Sequence, residues 1–174
     1  MNIKHLNIRI PLERESEKIL HYVNHVAGET DFLTFGKGEY PLDSNGIKKS
    51  IRNLSSSKNS IMLIAELDNQ IIGLASIKGY DKIRMDHVGD LGITIMKDYW
   101  GQGIGKQMVD FLLKWAKNNE FLYKVNLKVR HDNVKAIKIY KDFGFAKEGV
   151  LLDDFKVNNI YYNHILMGIK IKTL

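Results

Sequence analysis

The chain reads as a series of short periodic patterns separated by turn-forming residues. Leu6, Ile8 and Ile10 alternate with polar neighbours and predict a first strand. Ile19, Leu20, Val23, Val26 and Ala27 recur at helical spacing, with Gly28 placed to end that helix. Ile47, Ile51 and Leu54 mark a second, shorter helix capped by Asp43 or Ser44. Between the two, the glycine-punctuated segment 29–39 predicts a functional loop. Two β-rich runs, 61–67 and 71–77, are joined by Asp68-Asn69 and predict a hairpin, and a further strand is expected over roughly 88–96. Ile104, Met108, Phe111, Leu112, Trp115 and Ala116 then draw a clean apolar helical stripe. Val125, Leu127 and Val129 alternate as a strand, 133–143 reads as a helix followed by Gly144, and β-like stretches near 149–152 and 161–171 close the chain.

The resulting order, β-α-α-β-β-β-α-β-α-β-β, predicts an α/β fold in one domain spanning residues 1–174, with no repeat, low-complexity tract or linker. Pro11 and Pro41 each stand just before a helical pattern, where a fixed φ and a missing N–H do least harm. A hydrophobic fraction of 44% and a charged fraction of 26% suit a globular domain with a real core. The absence of cysteine excludes disulfides, thiolate metal sites and a cysteine nucleophile, and fits a reducing compartment. No apolar run approaches the roughly 18 residues that span a bilayer. The opening Met1-Asn2-Ile3-Lys4-His5 lacks the apolar core and cleavage site of a signal peptide. The expectation is a cytoplasmic protein with no membrane partner. A net charge of +6 raises the question of nucleic acid. The basic residues are dispersed, however, and neither an aromatic-basic RNP motif nor zinc-finger spacing occurs, so no nucleic-acid partner is expected.

Candidate chemistry begins at Tyr99-Trp100-Gly101-Gln102-Gly103-Ile104-Gly105-Lys106, between an expected strand and the best helix. Glycines there let main-chain N–H groups turn towards a ligand, and the helix start adds positive dipole, which together suit a pyrophosphate. A dinucleotide fingerprint from Gly101 fails at Lys106, and one from Gly103 fails at Met108; a P-loop ending at Gly105-Lys106 fails at Trp100 and Gln107. About thirty residues on runs Asn133-Val134-Lys135-Ala136-Ile137-Lys138-Ile139-Tyr140-Lys141-Asp142-Phe143-Gly144-Phe145. In it Asn133 and Tyr140 stand two helical turns apart, on one face. Taken as ordinary structure, Asn133 is an N-cap and Tyr140 a core aromatic with a wet hydroxyl.

Both segments resemble the GNAT superfamily of N-acetyltransferases. The glycine turn is similar to the family's Gln/Arg-x-x-Gly-x-Gly/Ala, matching at Gly103 and Gly105 and departing at Trp100. The second segment has every fixed position of Asn-x-x-Ala-x-x-x-Tyr-x-x-x-Gly-Phe. The closing Tyr161-Tyr162-Asn163-His164-Ile165-Leu166-Met167 looks like the last strand of the ribosomal-protein and small-amine branch, with Asn163 where aspartate is common. The resemblance implies a mixed, mostly antiparallel central sheet flanked by helices, with acetyl-CoA as cosubstrate and no metal. It implies cofactor contacts at Ile93, Thr94, Ile95, Gln102, Gly103, Ile104, Gly105, Lys106, Asn133, Ala136 and Tyr140. The strand before the turn is expected to splay open, with the Ile95 N–H polarising the acetyl carbonyl and Tyr140 protonating the departing sulfur. A homodimer is compatible with the resemblance, although no coiled coil or interface stripe is evident.

The implied reaction is acetyl transfer to a primary amine by direct attack in a ternary complex. An amine with pKa near 10.4 must lose a proton first. Asp90, at the start of the central strand, and Glu29, in the loop expected to border the acceptor, are the candidate bases; His87 is a third, better read as a solvated residue. An acidic acceptor pocket is expected from Glu29, Asp31 and Glu39. His21 and His25 have metal-like i,i+4 spacing, but Tyr22 breaks the zinc-protease pattern, and no serine sits in a Gly-x-Ser-x-Gly elbow. The competing reading is a catalytically idle coenzyme A-binding module.

Overall fold

The structure, a computed structural model, describes residues 5–172; Met1–Lys4, on which the leader-peptide reading rests, lie outside the described residues. One seven-stranded sheet forms the frame, in the order β1-β2-β3-β4-β5-β7-β6. Its strands are β1 (Asn7–Arg9), β2 (Ile61–Leu67), β3 (Gln70–Gly79), β4 (Val88–Ile95), β5 (Lys124–Arg130), β6 (Ala146–Val157) and β7 (Ile160–Lys170). The helices are α1 (Ser16–Ala27), α2 (Ser44–Ser56), α3 (Ile104–Asn118) and α4 (Val134–Asp142). Every neighbouring pair is antiparallel except β4 and β5, so the sheet is mixed and mostly antiparallel, as expected.

The two tight hairpins follow from local chemistry. Asp68 and Asn69 adopt positive φ (48° and 64°), and so do Asn158 and Asn159 (48° and 63°), the geometry that matches strand twist in a two-residue turn. The second hairpin was not expected. β6 runs well beyond 149–152, because charged residues interrupt the apolar ones on this exposed outer strand and hide its period, whereas β7 lies close to the expected 161–171. Gly28 does follow α1, but in right-handed geometry (φ −87°), its N–H returning to the His25 carbonyl at 3.0 Å, rather than as a left-handed terminator. Asp43 is the α2 cap, accepting from the Gly46 N–H at 2.7 Å.

Apolar residues of alternate parity divide the sheet's faces. Ile95 shares one face with Met108 of α3, and Ile93 approaches Gly105 at the start of that helix. The α4 terminus at Gly144 packs against Ile169 on the same side. On the opposite face, the buried Tyr22 of α1 hydrogen-bonds Thr94 at 2.9 Å. The core therefore lies in two layers, with Ile19, Val23, Val26, Ile47 and Ile51 on one side and Ile104, Met108, Leu112 and Ala116 on the other. No described helix is long and apolar enough to cross a membrane.

Candidate active site

The site originates in a defect of the sheet. β4 and β5 pair only through Val88, Gly89 and Asp90, opposite Lys124, Val125 and Asn126. Beyond those pairs β4 stays with β3 while β5 stays with β7. The Met96 N–H donates to the Ile72 carbonyl at 2.9 Å, which fixes the phase of the β3–β4 ladder. By alternation, the main-chain groups of Ile93 and Ile95 then point across the gap. Their donors and acceptors are left for something other than a strand. The indole N–H of Trp100 takes the Ile95 carbonyl at 2.7 Å, tying the glycine turn back onto the strand end.

The turn itself uses positive φ at Gly101 (76°) and Gly103 (83°), with no atom within 4 Å of where a Cβ would stand. Both therefore face open space, and only glycine takes this backbone without strain. Gly103 caps α3 without any side chain, leaving the first-turn N–H groups of Ile104, Gly105 and Lys106 free of an intrahelical partner. All three residues line a cavity of about 810 Å³, where the N-terminal dipole favours an anion.

That cavity gathers ten of the eleven expected cofactor residues: Ile93, Thr94, Ile95, Gly103, Ile104, Gly105, Lys106, Asn133, Ala136 and Tyr140. Gln102 is not among its lining residues; its side-chain amide donates to the Asp98 carbonyl at 3.0 Å. Lys106 is drawn towards α4 by Asp142 at 3.1 Å. Asn133 caps α4 by accepting from the Ala136 N–H at 3.2 Å while also facing the cavity, so capping and lining coincide. Tyr140 is 8% exposed and stands edge-on to Phe145. Burial pushes its phenol up to about 12. It stays protonated, and able to donate, across the working range of proteins.

A second cavity, of about 580 Å³, opens on the α1/α2 face of the sheet. Ile93, Asn133 and Tyr140 line both cavities, as do Phe32 and Leu33 of the loop 29–39. Asp90 lines the second one, where its carboxylate accepts the Tyr80 hydroxyl at 2.6 Å and pushes that phenol up. Asn126, its partner in register, has a buried Oδ1 with no hydrogen-bond partner among the described residues.

Several expected residues stand elsewhere. Glu29 lines neither cavity; it accepts the Lys97 N–H at 3.0 Å and meets His25 at 3.1 Å, which also accounts for that histidine. Glu39 folds back onto the Gly36 N–H at 2.7 Å, and Asp31 is exposed outside both cavities. The acidic pocket expected from Glu29, Asp31 and Glu39 is therefore not assembled; the carboxylates on the second cavity are Asp90 and Glu148. His87 is exposed and lines neither.

Two groups missed in the sequence stand at the second cavity. Arg130 is buried, forks onto Asp132 at 2.7 and 2.9 Å, donates to the Asp31 carbonyl at 2.7 Å and lies between the rings of Phe32 and Tyr162. It thus latches the loop 29–39 over the site. His164, 5% exposed, meets the Asp154 carboxylate at 2.8 Å. Hydrogen bonds from His164 and Lys128 hold that carboxyl below its usual range. Alternation in β7 places His164 on the face of Tyr162 and Leu166, but no local signal ties it to Asp154.

Among the described residues the open mixed sheet has one parallel pair, and it parts beside the glycine turn, as the resemblance in the sequence implies. Residues 29–145 match the acetyltransferase (GNAT) family, and the chain belongs to that family of N-acetyltransferases. It is 28% identical over 163 residues to spermidine N(1)-acetyltransferase of Escherichia coli, covering 91% of this chain and 83% of the relative. The acetyltransferase of GNAT family from Streptococcus pneumoniae superposes with a TM-score of 0.93 at 29% identity, over 97% of this chain and 100% of that one. A GNAT superfamily phosphinothricin acetyltransferase from Sinorhizobium meliloti, in complex with AcCoA, shares the fold (TM-score 0.82, 12% identity, 95% of this chain and 88% of that one).

Proposed function

We propose that residues 1–174 act as one domain that transfers the acetyl group of acetyl-CoA to a cationic primary amine, by direct attack in a ternary complex. The observation that carries this reading is the meeting of two cavities at a common wall of Ile93, Asn133 and Tyr140, where β4 and β5 part. The larger cavity has an uncapped helix start at one end for a pyrophosphate and unpaired strand main chain for an amide-bearing arm. The acyl group then reaches the wall, with the Ile95 N–H aimed at its carbonyl oxygen and the Tyr140 hydroxyl at its sulfur.

The smaller cavity receives the amine. Glu148 there is paired with Lys124 and Arg130 with Asp132, but Asp90 has no ion-pair partner among the described residues. An uncompensated carboxylate beside the unsatisfied Asn126 oxygen favours an acceptor that brings positive charge and N–H donors. A relative named for acting on spermidine supports that class of acceptor. Glu29, with its carboxylate on the Lys97 N–H, holds the end of β4 in place.

Calorimetry with acetyl-CoA, on the wild type and on a Gly103→Glu, Gly105→Glu double variant, tests the cofactor half. Binding by the wild type and its loss in the variant is the expected result. Release of free thiol on addition of spermidine, a peptide with a free N-terminus and an amino acid tests the acceptor half. Absence of acetyl-CoA binding by the folded wild type would sink the enzyme reading, leaving an inherited scaffold.

A further inference from the structure

We propose that His164, oriented by Asp154, is the catalytic base that takes the proton from the acceptor amine. The assignment rests on the reading of the smaller cavity as the acceptor site.

The geometry is that of an imidazole prepared to accept at one nitrogen. An ionised carboxylate only accepts hydrogen bonds, so the 2.8 Å contact from His164 Nδ1 to Asp154 Oδ2 places the ring's proton on Nδ1. Nε2 then carries the lone pair. It has no partner among the described residues and is not among the fully buried polar atoms, so the small exposed part of this ring includes Nε2. His164 lines the second cavity, the space assigned to the amine, and the assignment gives Nε2 the role of accepting there.

The fold expends structure on this pair. After an earlier register shift between Lys147 and Gly149, β6 and β7 pair as far as Leu151 opposite His164 and resume at Phe155 opposite Tyr162. Residues 152–154 are looped out against Asn163 alone, with Asp153 at φ 51°. The Asn163 side-chain oxygen accepts the Asp153 N–H at 2.9 Å and pins the bulge, which brings Asp154 beneath the imidazole. Phe155 holds the ring edge-on at 5.3 Å. Charged groups around it come from each adjoining strand. Lys128 on β5 shares Asp154, Arg130 is its register partner, and Glu148 and Asp90 stand on the same cavity. None of the three expected bases has this arrangement: Asp90 is engaged with Tyr80, Glu29 with Lys97 and His25, and His87 faces solvent.

The step balances as follows. The bound ammonium gives one proton to His164 Nε2, and the neutral amine attacks the thioester carbonyl carbon, forming the C–N bond. The tetrahedral intermediate collapses with breakage of the C–S bond. The thiolate takes the Tyr140 proton, the nitrogen's surplus proton restores Tyr140, and His164 releases its own proton to solvent. The products are the amide, coenzyme A thiol and one proton.

The experiment measures kcat and kcat/KM from pH 6 to 9 for wild type, His164→Gln and Asp154→Asn, with the best acceptor of the three amines above. Thermal melting and acetyl-CoA calorimetry accompany each protein. The expected result is a fall in kcat of about 100-fold or more in His164→Gln with acetyl-CoA affinity held within about twofold. Wild-type kcat should level off as pH rises, while that of the variant keeps climbing as the amine itself deprotonates. With a weakly basic amine that is already neutral, the deficit should shrink about tenfold or more, which a merely structural defect would not produce. Asp154→Asn, at a half-exposed site, should lose about tenfold, and it decides the matter if His164→Gln does not fold. Near-wild-type rates and pH profiles in the folded variants would overturn the base assignment while leaving acetyl transfer intact. A wild type that acetylates none of the amines would remove both.

Discussion

Replacement of Tyr140 by phenylalanine separates chemistry from packing at the wall between the two cavities. The ring is 8% exposed and packs edge-on against Phe145 at a centroid distance of 5.8 Å, contacts that phenylalanine retains. The hydroxyl has no protein hydrogen-bond partner among the described residues, so its loss should change stability by less than about 0.5 kcal/mol. Burial keeps the phenol protonated up to about pH 12, which makes it a donor to the departing sulfur throughout the assay range. General acids contribute about 10²–10⁴-fold, and a thiolate, with an ordinary pKa of about 8.5, needs the least help. The expected loss is therefore about 100-fold in the chemical step, equivalent to about 2.7 kcal/mol. Single-turnover thiol release after mixing saturated enzyme with amine reads that step rather than product release. Acetyl-CoA affinity should stay within about twofold. A rate within about threefold of wild type would refute the assignment, and so would a loss accompanied by a large drop in melting temperature.

Three other perturbations bear on the frame. A Cβ at Gly79 would lie 2.2 Å from Cγ of Asn59, a buried residue whose amide bridges the Tyr80 and Asp86 carbonyls, so Gly79→Ala should cost about 2–3 kcal/mol in urea unfolding with acetyl-CoA binding retained. Arg130→Met should leave Asp132 unpaired and free the loop 29–39, raising KM for the amine well above any change in acetyl-CoA affinity; equal effects on both would refute the latch. Arg9, by its hydrogen bonds, holds the Glu15 carboxyl at about 2 against an ordinary 4.5. A depressed folded-state value stabilises the protein above the unfolded one, so this contribution is complete above about pH 4.5 and lost as pH falls towards 2. Arg9→Met should flatten the acid limb of a melting-temperature profile in that window.

What was legible in the chain was whatever depends on near neighbours. The β-rich run at 61–67, the alternation at 125–129, the stripe from Ile104 to Ala116, the Asp68-Asn69 turn and the cap at Asp43, one of the two residues expected there, are decided by contacts a few residues apart, and each formed where its pattern lay. The glycine turn and the segment from Asn133 to Phe145 were also readable, because a positive φ and a helix face leave their marks in consecutive residues. The acceptor side was not. Glu29, Asp31 and Glu39 are close in sequence, yet main-chain N–H groups hold the Glu29 and Glu39 carboxylates and none of the three lines either cavity. Asp90 and Asn126 become neighbours only through the short parallel pairing of β4 and β5. His164 and Asp154 meet only through a bulge in β6, and Arg130 reaches Asp31 across most of the chain. Backbone periodicity is a local property that sequence records directly. The convergence of polar side chains depends on strand register and on where the sheet parts, and those are set by packing across the whole domain.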